Sequence, residues 1–207
     1  MSDPQVMPMF PLGTVLFPGA LLPLHVFEPR YRVMTEHLLQ GDGEFGVVLI
    51  ERGSEVGGGD TRFTVGTVAR VVRAEELPDG GYALATVGVR RVRVERWLPD
   101  DPYPRAEVSD LHEQSDPADP AELRARAVAA LDHVYDLYRR SDARVPPLPV
   151  IAEPAEPASF EIAALAPIGP LDAQRVLETE TVRDRLVLLA ELIDEHALVL
   201  EAGDFLE

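Results

Sequence analysis

The chain carries 36 acidic residues, 5 histidines and 19 basic residues that are all arginine, with neither a lysine nor a cysteine. Those two absences remove whole classes of chemistry. A phosphate-binding Walker A loop needs a lysine that reaches the β- and γ-phosphates. Schiff-base chemistry and a Ser–Lys dyad need one too. Without a thiol there is no cysteine nucleophile, no disulfide and no thiolate zinc site. No Gly-x-Ser-x-Gly elbow occurs, since Ser54 lies in Arg52-Gly53-Ser54-Glu55-Val56. Gly57-Gly58-Gly59 is followed by Asp60, Thr61 and Arg62, so a dinucleotide fingerprint fails at its last glycine. His25, His37, His112, His133 and His196 are all too far apart in sequence to form a local metal-binding pair. The adjacent acids Asp100-Asp101, Glu75-Glu76 and Asp194-Glu195 face different ways on a strand or helix, so none is a ready acid–base pair. These observations lead to the expectation of a chain that is not an enzyme and uses neither cofactor nor metal.

The charge narrows the partners. The formal net charge is −17. Residues 1–110 hold 16 acids and 11 arginines, and the remainder holds 20 acids and 8 arginines, so the second part is the more acidic. Such a field repels phosphate backbones and anionic lipid. Arg90, Arg91, Arg93 and Arg96 form the one basic concentration, and Glu95 interrupts it. Nucleic acid is therefore disfavoured. No apolar run approaches the roughly 18 uncharged residues of a membrane helix, and the first residues lack the pattern of a secretory signal. The expected location is the cytoplasm.

The elements that would position a site change character midway. Residues 7–12 and 20–27 read as short apolar strands, with Pro23 marking the second as an edge strand, a bulge or a bend. Glu28-Pro29-Arg30-Tyr31 reads as a helix start, with proline at the first helical position. Residues 45–50 and 63–72 are strand candidates. Residues 76–81 have hairpin-turn chemistry, leading into strands at 82–87 and 89–97. In the latter, Arg91, Arg93 and Glu95 alternate with inward Val92 and Val94. A last strand is expected at 105–111. Residues 112–120 then read as a linker. Helices are expected at 121–140, from Ser159 to near Pro167, at 171–178 and at 181–200. A proline-rich loop spans 144–157. The fold class is α+β: a mixed β-domain with one helix over residues 1–113, and a helical subdomain over 118–207.

The run Met9-Phe10-Pro11-Leu12-Gly13-Thr14-Val15-Leu16-Phe17-Pro18-Gly19-Ala20-Leu21-Leu22-Pro23-Leu24-His25-Val26-Phe27-Glu28-Pro29-Arg30-Tyr31 closely resembles the opening signature of the LON substrate-binding domain. Further resemblances follow in order at Phe45-Gly46-Val47-Val48-Leu49-Ile50, Val65-Gly66-Thr67-Val68-Ala69, Leu77-Pro78-Asp79-Gly80-Gly81-Tyr82 and Gly88-Val89-Arg90-Arg91-Val92. Weaker ones lie at Ser159-Phe160-Glu161-Ile162-Ala163 and at residues 171–178. The resemblance implies a PUA-like pseudo-barrel followed by a helical bundle, free-standing and without ATPase or peptidase domains. In Lon proteases this unit helps recognise unfolded or tagged proteins, so binding is the activity that carries over and proteolysis is not.

The resemblance makes the expected partner an unfolded or tagged polypeptide, or one dedicated protein, with the chain acting as adaptor or holdase. Such a role needs an exposed apolar patch. The candidate residues are Val15, Leu16, Phe17 and Pro18 in one loop and Leu21 and Leu22 beside it. Their plain structural reading is core. Leu12, Phe27 and Val47 also read as core. The proline-rich loop is a second candidate, either as a partner site or as a cover. The alternative function is RNA binding, by analogy with PUA-like domains, through the Arg90–Arg96 region.

Overall fold

The structure, a computed structural model, describes residues 4–52, 61–114, 120–141 and 144–204. The glycine-rich run 53–60 and residues 115–119 of the expected linker lie outside them. The chain divides into two compact units, Met1–His112 and Glu113–Glu207.

The first unit holds β1 (Gln5–Leu12), β2 (Leu21–Val26), helix α1 (Pro29–Gln40), β3 (Glu44–Arg52), β4 (Thr61–Glu76), β5 (Tyr82–Leu98) and β6 (Arg105–Asp110). The sheet order is β2-β5-β4-β3-β1-β6, and β6 also pairs with β5. That last pairing closes β5, β4, β3, β1 and β6 into a ring and leaves β2 as an edge strand outside it. Pairing is antiparallel throughout except between β1 and β3.

Strands β1 and β3 are apolar on both faces because both faces are covered, which the period-two geometry of a strand makes possible. Phe10 and Leu12 of β1, with Phe45 and Val47 of β3, pack against Tyr31, Met34 and Leu38 of α1. Met7, Met9 and Val48 point the other way, into a second cluster with Val68, Val92, Val94 and Val108. Gly46 stands opposite Met9, where a side-chain carbon on it would collide with the thioether. Pro29 opens α1 at a position whose N–H would have no helical partner, and Glu28 precedes it in extended conformation.

The two strands expected at 82–97 form one continuous strand. Gly88 is the joint: its N–H donates to the Ala20 carbonyl at 2.9 Å, and a side chain there would run into the Phe17 carbonyl. The expected alternation also fails at Arg91, which is 3 % exposed rather than solvent-facing. β5 shifts register against β4 beside Gly88 and against β6 between Val94 and Arg96, so a strict two-residue period cannot run its length.

The second unit holds α2 (Ala121–Arg140), α3 (Ala155–Leu165), α4 (Pro170–Glu178) and α5 (Val182–Asp204). α3 begins four residues before the expected Ser159, taking in the end of the proline-rich run. Pro157 is accepted because it lies in the helix's first turn, where no helical donor is lost. Ala127, Leu131 and Val134 of α2 and Leu186, Leu189 and Ile193 of α5 are fully buried at helical spacing.

Arg185 of α5 is a wholly buried arginine at the centre of this unit. Its guanidinium pairs with Glu113, donates to the hydroxyls of Ser159 at 3.1 Å and Thr179 at 3.2 Å, and stacks 3.9 Å over the Phe160 ring. A planar fork holds these acceptors in fixed directions while lying flat on the ring, which a compact ammonium on a flexible stem could not do. Replacing Arg185 by methionine keeps much of the volume but strips the charge partner from Glu113. The expected loss is about 3 kcal/mol or more in unfolding free energy, measured by urea titration of the whole chain. A loss under about 1 kcal/mol would mean the second unit does not depend on this node.

Candidate functional site

Strand β2 reads Leu-Leu-Pro-Leu-His-Val, six residues without a charge on the edge of a sheet. Period-two geometry splits them. Leu22, Leu24 and Val26 point inward to the α1 side, where Val26 is 1 % exposed. Leu21, Pro23 and His25 point outward, and Leu21 is 77 % exposed. The stripe is prolonged by Phe27, which is 56 % exposed and has its ring 6.0 Å from that of His25. Phe27 therefore does not belong to the core, as its place in an apolar run suggests. It follows the last inward residue, Val26, so the pleat turns it to solvent.

The neighbouring strand extends this surface. Leu21, Pro23 and His25 stand opposite Val87, Ala85 and Ala83 of β5. Ala83 and Ala85 are exposed and too small to screen the stripe. On the other side of β2 lies a cavity of about 180 Å³. Phe10, Leu12, Leu24 and Tyr31 give it an apolar lining, and Phe10 and Tyr31 stack at 4.1 Å. Glu28 supplies the charged group at its rim. That carboxylate accepts from Arg30 at 3.1 Å, and Arg30 also approaches Asp100 at 4.0 Å.

The six candidate residues fare differently. Leu16 and Phe17 are each 4 % exposed. The loop bearing them is pinned to the sheet: the Thr67 hydroxyl donates to the Leu16 carbonyl at 2.6 Å, and Phe17 O accepts from Ala20 N–H. Their apolar side chains fill the first unit, so they build the surface rather than form it. Val15, Pro18 and Leu22 are half-buried, and only Leu21 stands clear. Phe27, Ala83 and Ala85 complete a surface that a search for apolar runs does not find. The usable signal was the period-two parity of β2 continued by one residue.

The arginines of β5 are largely occupied. Arg90 donates to Glu44 at 2.7 Å and to Asp110 at 2.9 Å, joining β5 to β3 and β6. Arg70 of β4 donates to the same Glu44 at 2.6 Å. Arg96 pairs with Glu107 at 2.5 Å, and Arg91 is buried. Of the four, only Arg93 is exposed without a carboxylate close by among the described residues.

The histidines and paired acids stay apart. His37 meets the Tyr103 hydroxyl at 2.9 Å, His133 meets Glu201 at 3.1 Å and His196 meets the Tyr138 hydroxyl at 2.6 Å. Asp194 is held by Arg126 and Asp101 by Arg105. Among the described residues no group of three or more histidines and carboxylates is placed to hold a metal. No helix among them is long and apolar enough to cross a membrane.

The proline-rich run holds neither helix nor strand from Arg144 to Ala152. Arg124 grips its end through the Ile151 and Ala152 carbonyls, and Glu161 accepts from the Ala152 N–H. Val150 is 99 % exposed while Ile151 is buried.

This fold is shared with Lon N-terminal domains. The Lon N-terminal domain protein from Xanthomonas campestris superposes with a TM-score of 0.69 at 27% identity, over 89% of this chain and 96% of that one. The N-terminal domain of the Mycobacterium avium complex Lon protease has the same fold, with a TM-score of 0.64 at 17% identity. Residues 6–195 match the family model of the ATP-dependent protease La (LON) substrate-binding domain, and the chain belongs to that family. It is 30% identical to Lon protease 2 of Myxococcus xanthus and 29% identical to the Lon protease of Anaeromyxobacter dehalogenans, in each case over 97% of its own length. It spans about a quarter of those curated relatives.

The Glu44 network gives a pH-dependent signature. Burial alone would raise the Glu44 carboxyl, but hydrogen bonds from Arg90 and then Arg70 outweigh it and hold the group below its usual 4.5. A depressed carboxylate stabilises the fold above its unfolded pKa, and the contribution fades as pH falls through the folded value. Glu44→Gln is therefore expected to lower stability most at neutral pH, with the two unfolding curves drawing together as pH falls below the usual 4.5 and through the lower folded value. Urea titrations of both proteins across pH 3–7 check this, and a constant gap would contradict it.

Proposed function

We propose that this chain is a non-catalytic polypeptide-recognition module, acting as an adaptor or holdase for unfolded or tagged proteins or for one dedicated protein partner. In this reading unit one is a PUA-like pseudo-barrel and unit two a helical bundle, with domain limits near 1–113 and 118–207. The observation that carries the proposal is the exposed apolar stripe of β2, with Leu21 at 77 % and Phe27 at 56 % exposure on an uncharged strand. Large exposed side chains cost solvation unless something covers them part of the time, and contiguous ones mark interaction surfaces. The family description and the relatives' name support a substrate-binding role.

RNA is the poorer fit for this surface. The net charge is −17, and Arg90 and Arg96 already hold carboxylates. A phosphate backbone would have to displace those partners against the overall field.

The test is fluorescence anisotropy of the whole chain against a labelled, permanently unfolded polypeptide and a labelled RNA, at low and moderate salt. Saturable polypeptide binding that survives added salt is expected, with no RNA binding. The double variant Leu21→Asp/Phe27→Asp is expected to weaken polypeptide binding about tenfold or more while leaving Tm nearly unchanged, since both side chains are exposed. Salt-sensitive binding to RNA alone would overturn the proposal.

A further inference from the structure

The backbone of β2 has a side that the sheet does not use. The Gly88 N–H bonds the Ala20 carbonyl at 2.9 Å, which marks Ala20 as a residue whose main chain faces β5. Main-chain direction alternates along an antiparallel pair. Leu22, Leu24 and Val26 therefore turn their N–H and C=O groups to β5, and the Thr86 hydroxyl on the Leu22 carbonyl at 2.8 Å lies on that same side. Leu21, Pro23 and His25 turn theirs outward. Proline falls at one of these outward positions, so its missing N–H costs the sheet no bond. Among the described residues, no backbone hydrogen bond reaches Leu21, Pro23 or His25 from outside the sheet.

Beyond this edge the apolar cavity is lined by Phe10, Leu12 and Tyr31, and Pro23, His25 and Phe27 reach it from β2 and its continuation. An extended segment laid along β2 would thus find main-chain partners on one side and an apolar floor for alternate side chains. None of the six β2 residues carries the charge with which natural edge strands usually refuse such pairing. Charge selects among segments through the chain's net −17, since on the sheet face itself Glu75, in the row of Ala83 and His25, is paired at 3.6 Å with Arg73, in the row of Ala85 and Pro23.

We propose that β2 binds its client by strand addition, taking an extended segment with alternating apolar residues and a net positive charge along the outward backbone of Leu21, Pro23 and His25. This rests on the polypeptide-recognition reading and specifies how that surface works. Specificity would come from the alternate side chains and affinity from the main chain, as in other strand-addition sites.

The experiment titrates the whole chain with a labelled synthetic peptide of alternating leucine and arginine. Two analogues carry N-methyl groups on alternate residues, one set for each edge of the extended peptide, and a third replaces arginine by glutamate. Methylation on the edge facing β2 removes its donors and should weaken binding about tenfold. Methylation on the other edge should leave binding unchanged, and the glutamate peptide should bind least. His25→Pro in the protein, which removes the outward N–H of His25 while sparing the bonds to β5, should weaken the parent peptide with the melting curve retained. Equal binding of both methylated peptides, or equal loss by both, would overturn strand addition. If Leu21→Asp/Phe27→Asp still abolished binding in that case, the recognition surface would stand and only its mode would fall. No binding by the parent peptide or by unfolded polypeptide would overturn both.

Discussion

From Tyr82 to Val87 strand β5 is paired on one side with β2, and from Val92 to Leu98 with β6, while β4 runs along its other side. One strand cannot hold two neighbours on the same edge at the same place, so somewhere between Val87 and Val92 that edge has to change hands. The handover occurs at Gly88. Its lack of a side chain lets the Phe17 carbonyl come close, and its N–H ties down the start of β2. Past this point β6 can take over and close the ring, which gives Met9, Val68, Val92 and Val108 an enclosed core. The same handover expels β2 from the ring and leaves it with a single neighbour. The exposed stripe is thus a consequence of how the ring closes, and not an isolated irregularity.

Within each unit, arginine ties separate elements together. In the first, Arg90 spans Glu44 and Asp110, and Arg70 shares Glu44, so four strands meet in one set of charge-assisted bonds. In the second, Arg185 meets a carboxylate and two hydroxyls while lying flat on Phe160. Each needs several directed donors on one rigid plane, which lysine lacks. The engagement of Arg90 by Glu44 and Asp110, and of Arg96 by Glu107, leaves much of the sequence's basic cluster neutralised.

The elements were largely legible in the sequence because they depend on local rules. Pro29 after Glu28 opens a helix, the alternation of residues 21–26 makes a strand, and the spacing of Leu186, Leu189 and Ile193 makes a buried helix face. What local rules do not fix is which strand stands beside which. Phe27 looks like core because it ends an apolar run, and only the parity of β2 within the sheet turns it outward. Leu16 and Phe17 admit two readings in the sequence, exposed loop or core, and contacts with Thr67 and Gly88, each more than fifty residues away, decide for core. Arg91 looks solvent-facing until the bulges of β5 are known. In each case long-range pairing decides the outcome. Leu21 was within reach because its exposure follows from parity and an edge position that Pro23 announces.

An open, uncharged edge is ordinarily a hazard, because a second copy of the same strand is its most available partner. Two features of this chain act against that outcome without closing the edge. Pro23 removes one donor from the outward side, so two copies of β2 laid against each other would each lack a bond that a proline-free segment could supply. The net charge of −17 repels another copy of the whole chain, and does so at distances beyond direct contact at low ionic strength. Neither feature acts against a basic, extended segment from another protein. The field attracts such a segment, and its own complete set of N–H groups suits the carbonyls of Leu21, Pro23 and His25. The combination is therefore selective: an uncharged strand on a chain of strong net negative charge discourages self-pairing while staying available to a client of opposite charge.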